Sequence, residues 1–204
     1  MNPFASTTAG GRARQRRHPL AGNGPIVDRA RRALRRTAEQ FGEVRRSDQT
    51  TVEVRTPDGI DLVLSYDPGN FIFSRVYAFT VSTRLPASTA PSGVRLVHRG
   101  EQRGGVFVAE RGTTPSARSL AQLNAAVAPH LPRIDMVRAK IADEAGGRTL
   151  TLSPMGGAFV WVLIPPVFKA TAFPQDEPKR ILDLIRAVRA LGEVELSASS
   201  TRTR

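Results

Sequence analysis

The chain has 204 residues, 40% apolar and 24% charged, the composition of about one globular domain. The absence of cysteine excludes disulfide scaffolds, thiolate metal sites and thiol nucleophiles, and fits a reducing compartment. The formal charge of +12 is uneven: residues 1–47 hold eleven arginines against three acids, a net +8, and residues 48–204 add only +4.

Residues 1–24 lack apolar periodicity and are expected to form a disordered basic tail containing Arg12, Arg14, Arg16 and Arg17. The stretch Arg12–Arg17 is followed by His18-Pro19-Leu20-Ala21-Gly22 rather than an apolar core, so it does not read as a secretion signal. No apolar run reaches the roughly 18 residues of a membrane span, and the expected location is the cytoplasm. Arginine outnumbers lysine 27 to 3, a bias that a GC-rich bacterial genome explains. That bias does not explain the shortage of acids near the N-terminus.

Pro25 opens a helix in which Ile26, Val27, Ala30, Ala33, Leu34, Ala38 and Phe41 share one arc. Arg29, Arg31, Arg32, Arg35 and Arg36 fall on the other arc, and Gly42 ends the run. The period then becomes two. Val52 and Val54 mark a strand, Pro57-Asp58-Gly59 a turn, and Leu62, Leu64 and Tyr66 a second strand. Asp67-Pro68-Gly69-Asn70 reads as another turn before a long strand from Phe71 to about Thr83. A loop over residues 86–93 leads to a hairpin of Val94–His98 and Val106–Glu110.

Thr114-Pro115 predicts a helix start, with Leu120, Leu123 and Val127 as its apolar stripe. Strands are expected near Ile134–Ala142, Arg148–Leu152 and Ala158–Ile164. The last helix has Asp176 as a plausible cap, Ile181, Leu184, Ile185, Val188 and Leu191 on one side, and Gly192 as terminator. Leu62-Val63-Leu64-Ser65 is echoed by Leu150-Thr151-Leu152-Ser153, which suggests two α-β-β-β units plus a closing helix.

The expected fold is therefore α+β: a mainly antiparallel meander sheet of about 6–8 strands with helices on one face. One domain covers residues 25–192, between the basic tail and a frayed end at 193–204. In element order the chain is similar to the small α+β export chaperones of bacteria. That resemblance implies a dimer that holds an unfolded client strand, although those chaperones are acidic and this chain is basic.

No phosphate-loop, dinucleotide, zincin or nucleophile-elbow motif is present. His18, His98 and His130 have no spacing that suggests a shared metal, and neither metal nor cofactor is expected. Asp58, Asp61, Asp67, Asp143 and Glu144 fall in turn-rich stretches, which explains their residue type.

Two candidate sites follow. Arg12, Arg14, Arg16, Arg17, Arg29, Arg32 and Arg36 form a candidate anion-binding stripe running from tail to helix face. A solvated basic surface is its structural alternative. Trp161 and Lys169 bracket an apolar, Pro-containing stretch and are a candidate pocket between the sheet and the last helix. Arg138 and Lys140 join them because they share a strand face. The favoured reading is a non-enzymatic interaction protein for an anionic partner, nucleic acid or acidic protein, with homodimerisation through a sheet edge. Its rival is a small hydrophobic-ligand protein or hydrolase using the pocket under the last helix.

Overall fold

A computed structural model describes residues 18, 20–70, 74–86, 89–98, 104–162 and 167–200. Helix α1 (Pro25–Ala38) is followed by strands β1 (Glu43–Ser47), β2 (Thr51–Arg55), β3 (Asp61–Asn70), β4 (Ser74–Arg84), β5 (Val94–Val97) and β6 (Val106–Ala109). Next come α2 (Ala117–Val127), a short 3₁₀ turn at Leu131–Arg133, and β7 (Met136–Glu144). Strands β8 (Gly147–Pro154), β9 (Phe159–Val162) and β10 (Val167–Ala170) then lead to α3 (Glu177–Ser200). All ten strands join one sheet in the order β1-β2-β3-β4-β8-β7-β5-β6, with β9 paired to β4 and β10. Every pairing is antiparallel, as the short links between strands require.

The period-two pattern divides the sheet into two unlike faces. Val52, Val54, Leu62, Leu64, Val81, Leu152 and Ile141 point to one side and are at most 2% exposed. The helices close that side. Ala30, Leu34 and Ala38 of α1, Leu123 and Val127 of α2, and Ile181, Leu184, Ile185 and Val188 of α3 are all buried in the same core. The opposite face carries Glu53, Val63, Ser82, Thr151, Lys140 and Arg95 in register across six strands, and among the described residues no helix covers it.

Aromatic rings fill the core near the β8–β9 junction. Phe173 meets Phe41 and Phe79 edge-on at centroid distances of 5.7 and 5.6 Å, and Tyr66 packs edge-on against Phe79 at 6.2 Å. Gly157 sits under this cluster with φ at +76°, and a β-carbon there would press into the Phe173 and Phe79 rings. Only glycine meets both constraints. Its carbonyl accepts a 3.1 Å hydrogen bond from the buried Tyr66 hydroxyl, and burial pushes the Tyr66 pKa upward.

The sequence reading needs several corrections. Asp67-Pro68-Gly69-Asn70 is not a turn but the end of β3, paired through to Arg75. Pro68 is tolerated because β2 has already ended, leaving β3 an edge there. Helix α2 starts later than Thr114: Ser116 is the cap, and its hydroxyl accepts the Ser119 amide at 3.0 Å. Helix α3 runs through Gly192 to Ser200, since one glycine costs about 1 kcal/mol and no proline follows. Strands β1 and β10 were missed. β1 has one apolar residue to show a period, and β10 follows a proline pair that suggested a loop. Leu64 and Leu152 of the internal echo flank β4 in one row through Val81, but β9 pairs with β4 and β10 rather than with β8. The described body also reaches back beyond Pro25, because Leu20 is 1% exposed in the core.

Candidate functional site

Helix α1 lays its Ala-rich face on β2 and β3 and turns its arginines outward. Arg29, Arg32, Arg35 and Arg36 are exposed on the helix, and Arg45 and Arg46 are exposed on the adjacent β1. Arg35 pairs loosely with Glu39 at 3.9 Å, and Arg45 with Glu43 at 3.0 Å. Among the described residues, Arg32, Arg36 and Arg46 have no acid within ion-pair reach. Arg12, Arg14, Arg16 and Arg17 lie outside the described residues.

Arg31 is the exception on this helix, and it points back. Its guanidinium donates to the carbonyls of Leu20 (2.6 Å), Gly22 (2.9 Å) and Gln49 (3.1 Å) and to the Asp28 carboxylate (3.2 Å). A planar five-donor fork can satisfy four acceptors in this way. The chain before α1 is thereby tied to the β1–β2 turn. At its end the His18 Nε2 lies 3.0 Å from the Ser65 Oγ, on the helix-free side of the sheet.

This histidine–serine contact was not visible in the sequence, and its hydrogen-bond order can be read. Ser65 donates its hydroxyl proton to the Thr50 carbonyl at 2.8 Å, while His18 Nδ1 accepts the Leu20 amide at 3.2 Å. Nε2 must therefore carry the proton and donate to Ser65. A general base for a serine nucleophile needs the reverse arrangement. Burial lowers the His18 pKa, against the pull of Asp48 and Asp67, and favours this neutral form.

The five turn-region carboxylates are each paired with a cation. Asp58 contacts Arg186 at 2.7 Å, Asp61 contacts Arg55 at 3.7 Å, Asp67 contacts Arg138 at 2.9 Å, and Asp143 contacts Arg148 at 3.0 Å. Glu144 lies 3.6 Å from Lys140. Hydrogen bonds from Arg186 and Thr56 hold the Asp58 carboxyl well below the usual range. No group of three metal-ligating side chains occurs among the described residues.

The predicted pocket residues separate. Arg138 and Lys140 line a cleft of about 550 Å³ on the helix-free face, together with Arg95. Lys169 lies on β10, in register with Val160 of β9, and does not line that cleft. Trp161 is paired in register with Arg75 and Phe168, and its side chain lies outside the described residues. The space expected between sheet and α3 is filled by the buried side chains of α3 itself.

The floor of the cleft is made of Thr80, Thr151 and Ser153, short hydroxyl residues of β4 and β8. A second hollow of about 660 Å³ adjoins it across Glu144 and includes Ser82 and Arg84. Arg138 and Lys140 share the cleft face by ordinary strand alternation, and a bulge at Val137 interrupts the strand just before Arg138. Met136 pairs with Pro154 and is buried, whereas Arg138 pairs with Ser153, so the extra residue shifts the side-chain parity. Arg95 and Lys140 stand directly opposite each other on β5 and β7. Like charges in that position cost stability in a sheet. Arg138 then reaches over β8 and β4 to Asp67 of β3, about 14 Å away at the usual strand spacing.

These features define an α+β protein built on one antiparallel sheet, with one helix-covered face and one polar, concave, helix-free face. The chain belongs to the family described as "Protein of unknown function (DUF3156)", which matches residues 39–191. The match contains all ten strands, α2 and most of α3, and begins just after α1. No curated protein and no solved structure matches the chain. No helix among the described residues is long and apolar enough to cross a membrane.

Proposed function

We propose that this is a non-catalytic, cytoplasmic binding protein that grips an anionic macromolecule through its arginine-rich N-terminal segment, with the sheet as its scaffold. The observation that carries this reading is the pair of exposed arginines Arg32 and Arg36 on the outer face of α1, with no acid within ion-pair reach among the described residues. The four arginines Arg12, Arg14, Arg16 and Arg17 precede this helix in the sequence, with no acid among them. Arginine forks suit phosphate and carboxylate groups, and binding that neutralises phosphates weakens steeply with salt. The non-catalytic part is supported by the His18 tautomer and by the pairing of Asp58, Asp61, Asp67, Asp143 and Glu144 each with a cation.

The test is fluorescence anisotropy of a labelled short DNA duplex between about 50 and about 300 mM salt. The full chain is compared with a version lacking residues 1–17, a boundary that spares the His18–Leu20 anchor, and with an Arg32→Ser/Arg36→Ser variant. About six phosphate contacts give a log–log slope near −5, and both altered proteins should show a shallower one. Polyglutamate as competitor separates nucleic acid from an acidic protein partner. Absent or salt-insensitive binding would overturn the reading. An edge-joined homodimer belongs to the same proposal. It would use β10, because Asn124 occupies the edge of β6 and β1 carries a bulge with Glu43, Arg45 and Arg46.

A further inference from the structure

We propose that the cleft on the helix-free face binds a small phosphorylated, hydroxyl-rich metabolite of the sugar-phosphate class, with Arg95, Lys140 and Arg138 on the phosphoryl group and the β4–β8 hydroxyls on the rest. The site is separate from the basic N-terminal segment and lies within the part of the chain that the family match covers.

Three observations converge on it. First, the fold sets Arg95 and Lys140 side by side in opposed register, a repulsive arrangement that a bound dianion would relieve. Second, Arg138 adds a third cation on the same face, two residues along β7 from Lys140, with the Val137 bulge next to it. Third, the floor consists of the hydroxyls of Thr80, Thr151 and Ser153, which offer donors and acceptors to a polyhydroxy ligand.

The acids of the cleft bear on which ligand fits. Asp67 and Glu144 hold Arg138 and Lys140 at 2.9 and 3.6 Å from opposite ends, and Glu110 lines the rim. They neutralise the empty cleft, so a monoanion gains little by displacing them. A phosphoryl dianion presents more acceptor oxygens and can take the Arg138 fork from Asp67, with Arg95 and Lys140 beside it. The volume of about 550 Å³ far exceeds a bare phosphate and is ordinary for a small-molecule site. Among the described residues no aromatic side chain lines it, and a nucleobase would find none of them to stack on.

The experiment is isothermal titration calorimetry on the full chain with glucose 6-phosphate, inorganic phosphate and glucose as probes. Glucose 6-phosphate should bind saturably, inorganic phosphate at least about tenfold more weakly, and glucose undetectably. Arg95→Gln and Lys140→Gln should each weaken glucose 6-phosphate at least about tenfold. Neither should lower the Tm of the free protein, because each removes a like-charge neighbour. Removing residues 1–17 should leave this binding unchanged while it weakens duplex binding, so the two proposals fail separately. No saturable binding, binding as tight with inorganic phosphate, or binding indifferent to Arg95→Gln would overturn the inference.

Discussion

Replacing Asn124 with leucine tests how the sheet protects its β6 end. Strand β6 pairs with β5 on one side only, and an unpaired strand edge invites another chain to add to it. Here the Asn124 side chain of α2 takes the place of a neighbouring strand. Its Oδ1 accepts the Phe107 amide at 2.8 Å and its Nδ2 donates to the Phe107 carbonyl at 3.0 Å. Leucine keeps the helix and the approximate volume but makes neither bond. Two net hydrogen bonds are worth about 1–3 kcal/mol together. Taking about 2 kcal/mol, Tm should fall by roughly 4–8 °C for a protein of this size. Urea unfolding should show a lower midpoint with an unchanged slope, since the same surface is exposed. Hydrogen exchange should show the Phe107 amide losing protection while the β3–β4 amides keep theirs. An unchanged midpoint together with a protected Phe107 amide would refute the idea that the side chain closes this edge.

Gly157→Ala should cost more than the 1 kcal/mol typical of a point substitution, because the new β-carbon meets both a left-handed backbone and the Phe173 ring; thermal melts check it. Arg31→Lys should lose part of the four-acceptor contact, about 1–2 kcal/mol, and speed proteolysis near residues 20–22. Glu177 is 1% exposed, Oε2 has no hydrogen-bond partner among the described residues, and burial raises its pKa against the opposing hydrogen bond from the Asp135 amide. The protonated form is thus favoured by folding, so its stabilising contribution is present below the ordinary carboxyl value and is lost as pH rises through the raised one. Glu177→Gln should therefore gain stability over the parent between pH 4 and pH 7 in urea titrations, and a pH-independent difference would contradict this. Asp58 shows the opposite sign. Its pKa is lowered by Arg186, its contribution is present above the ordinary carboxyl value, and Asp58→Asn should flatten the acid limb of the stability curve.

The parts of the fold with a strong period were legible in the sequence. The alternation of Val52, Val54, Leu62, Leu64 and Tyr66 marks two strands because one side meets a core and the other meets water. The stripe from Ile181 to Val188 marks α3 for the same reason. Edge elements gave no such signal. Strand β1 turns only Val44 toward the core and exposes its other residues, so a single apolar position shows no alternation. The end of β3 misled because Pro68 and Gly69 have turn chemistry, yet the strand there has lost a neighbour and can accommodate a proline. Of the candidate sites, the shared face of Arg138 and Lys140 follows from spacing alone. Arg95 could not be added, because its placement opposite Lys140 depends on a β5–β7 pairing across 45 residues of chain. The His18–Ser65 contact spans 47 residues and likewise has no local signature. Lys169 was drawn into the pocket by nearness in sequence to a distinctive segment, which is not nearness in space.

The anchor made by Arg31, Leu20 and His18 also sets how the molecule would bear a load. A polyanion gripped by the first seventeen residues would pull on the chain at His18, not at the first turn of α1. The tension would divide among the buried Leu20, the four hydrogen bonds of Arg31 and the histidine–serine contact. Several of these lie beside the β1–β2 turn, so force passes into the sheet rather than peeling a helix from its end. The N-terminal segment is in this sense a tether with a strain relief at its root.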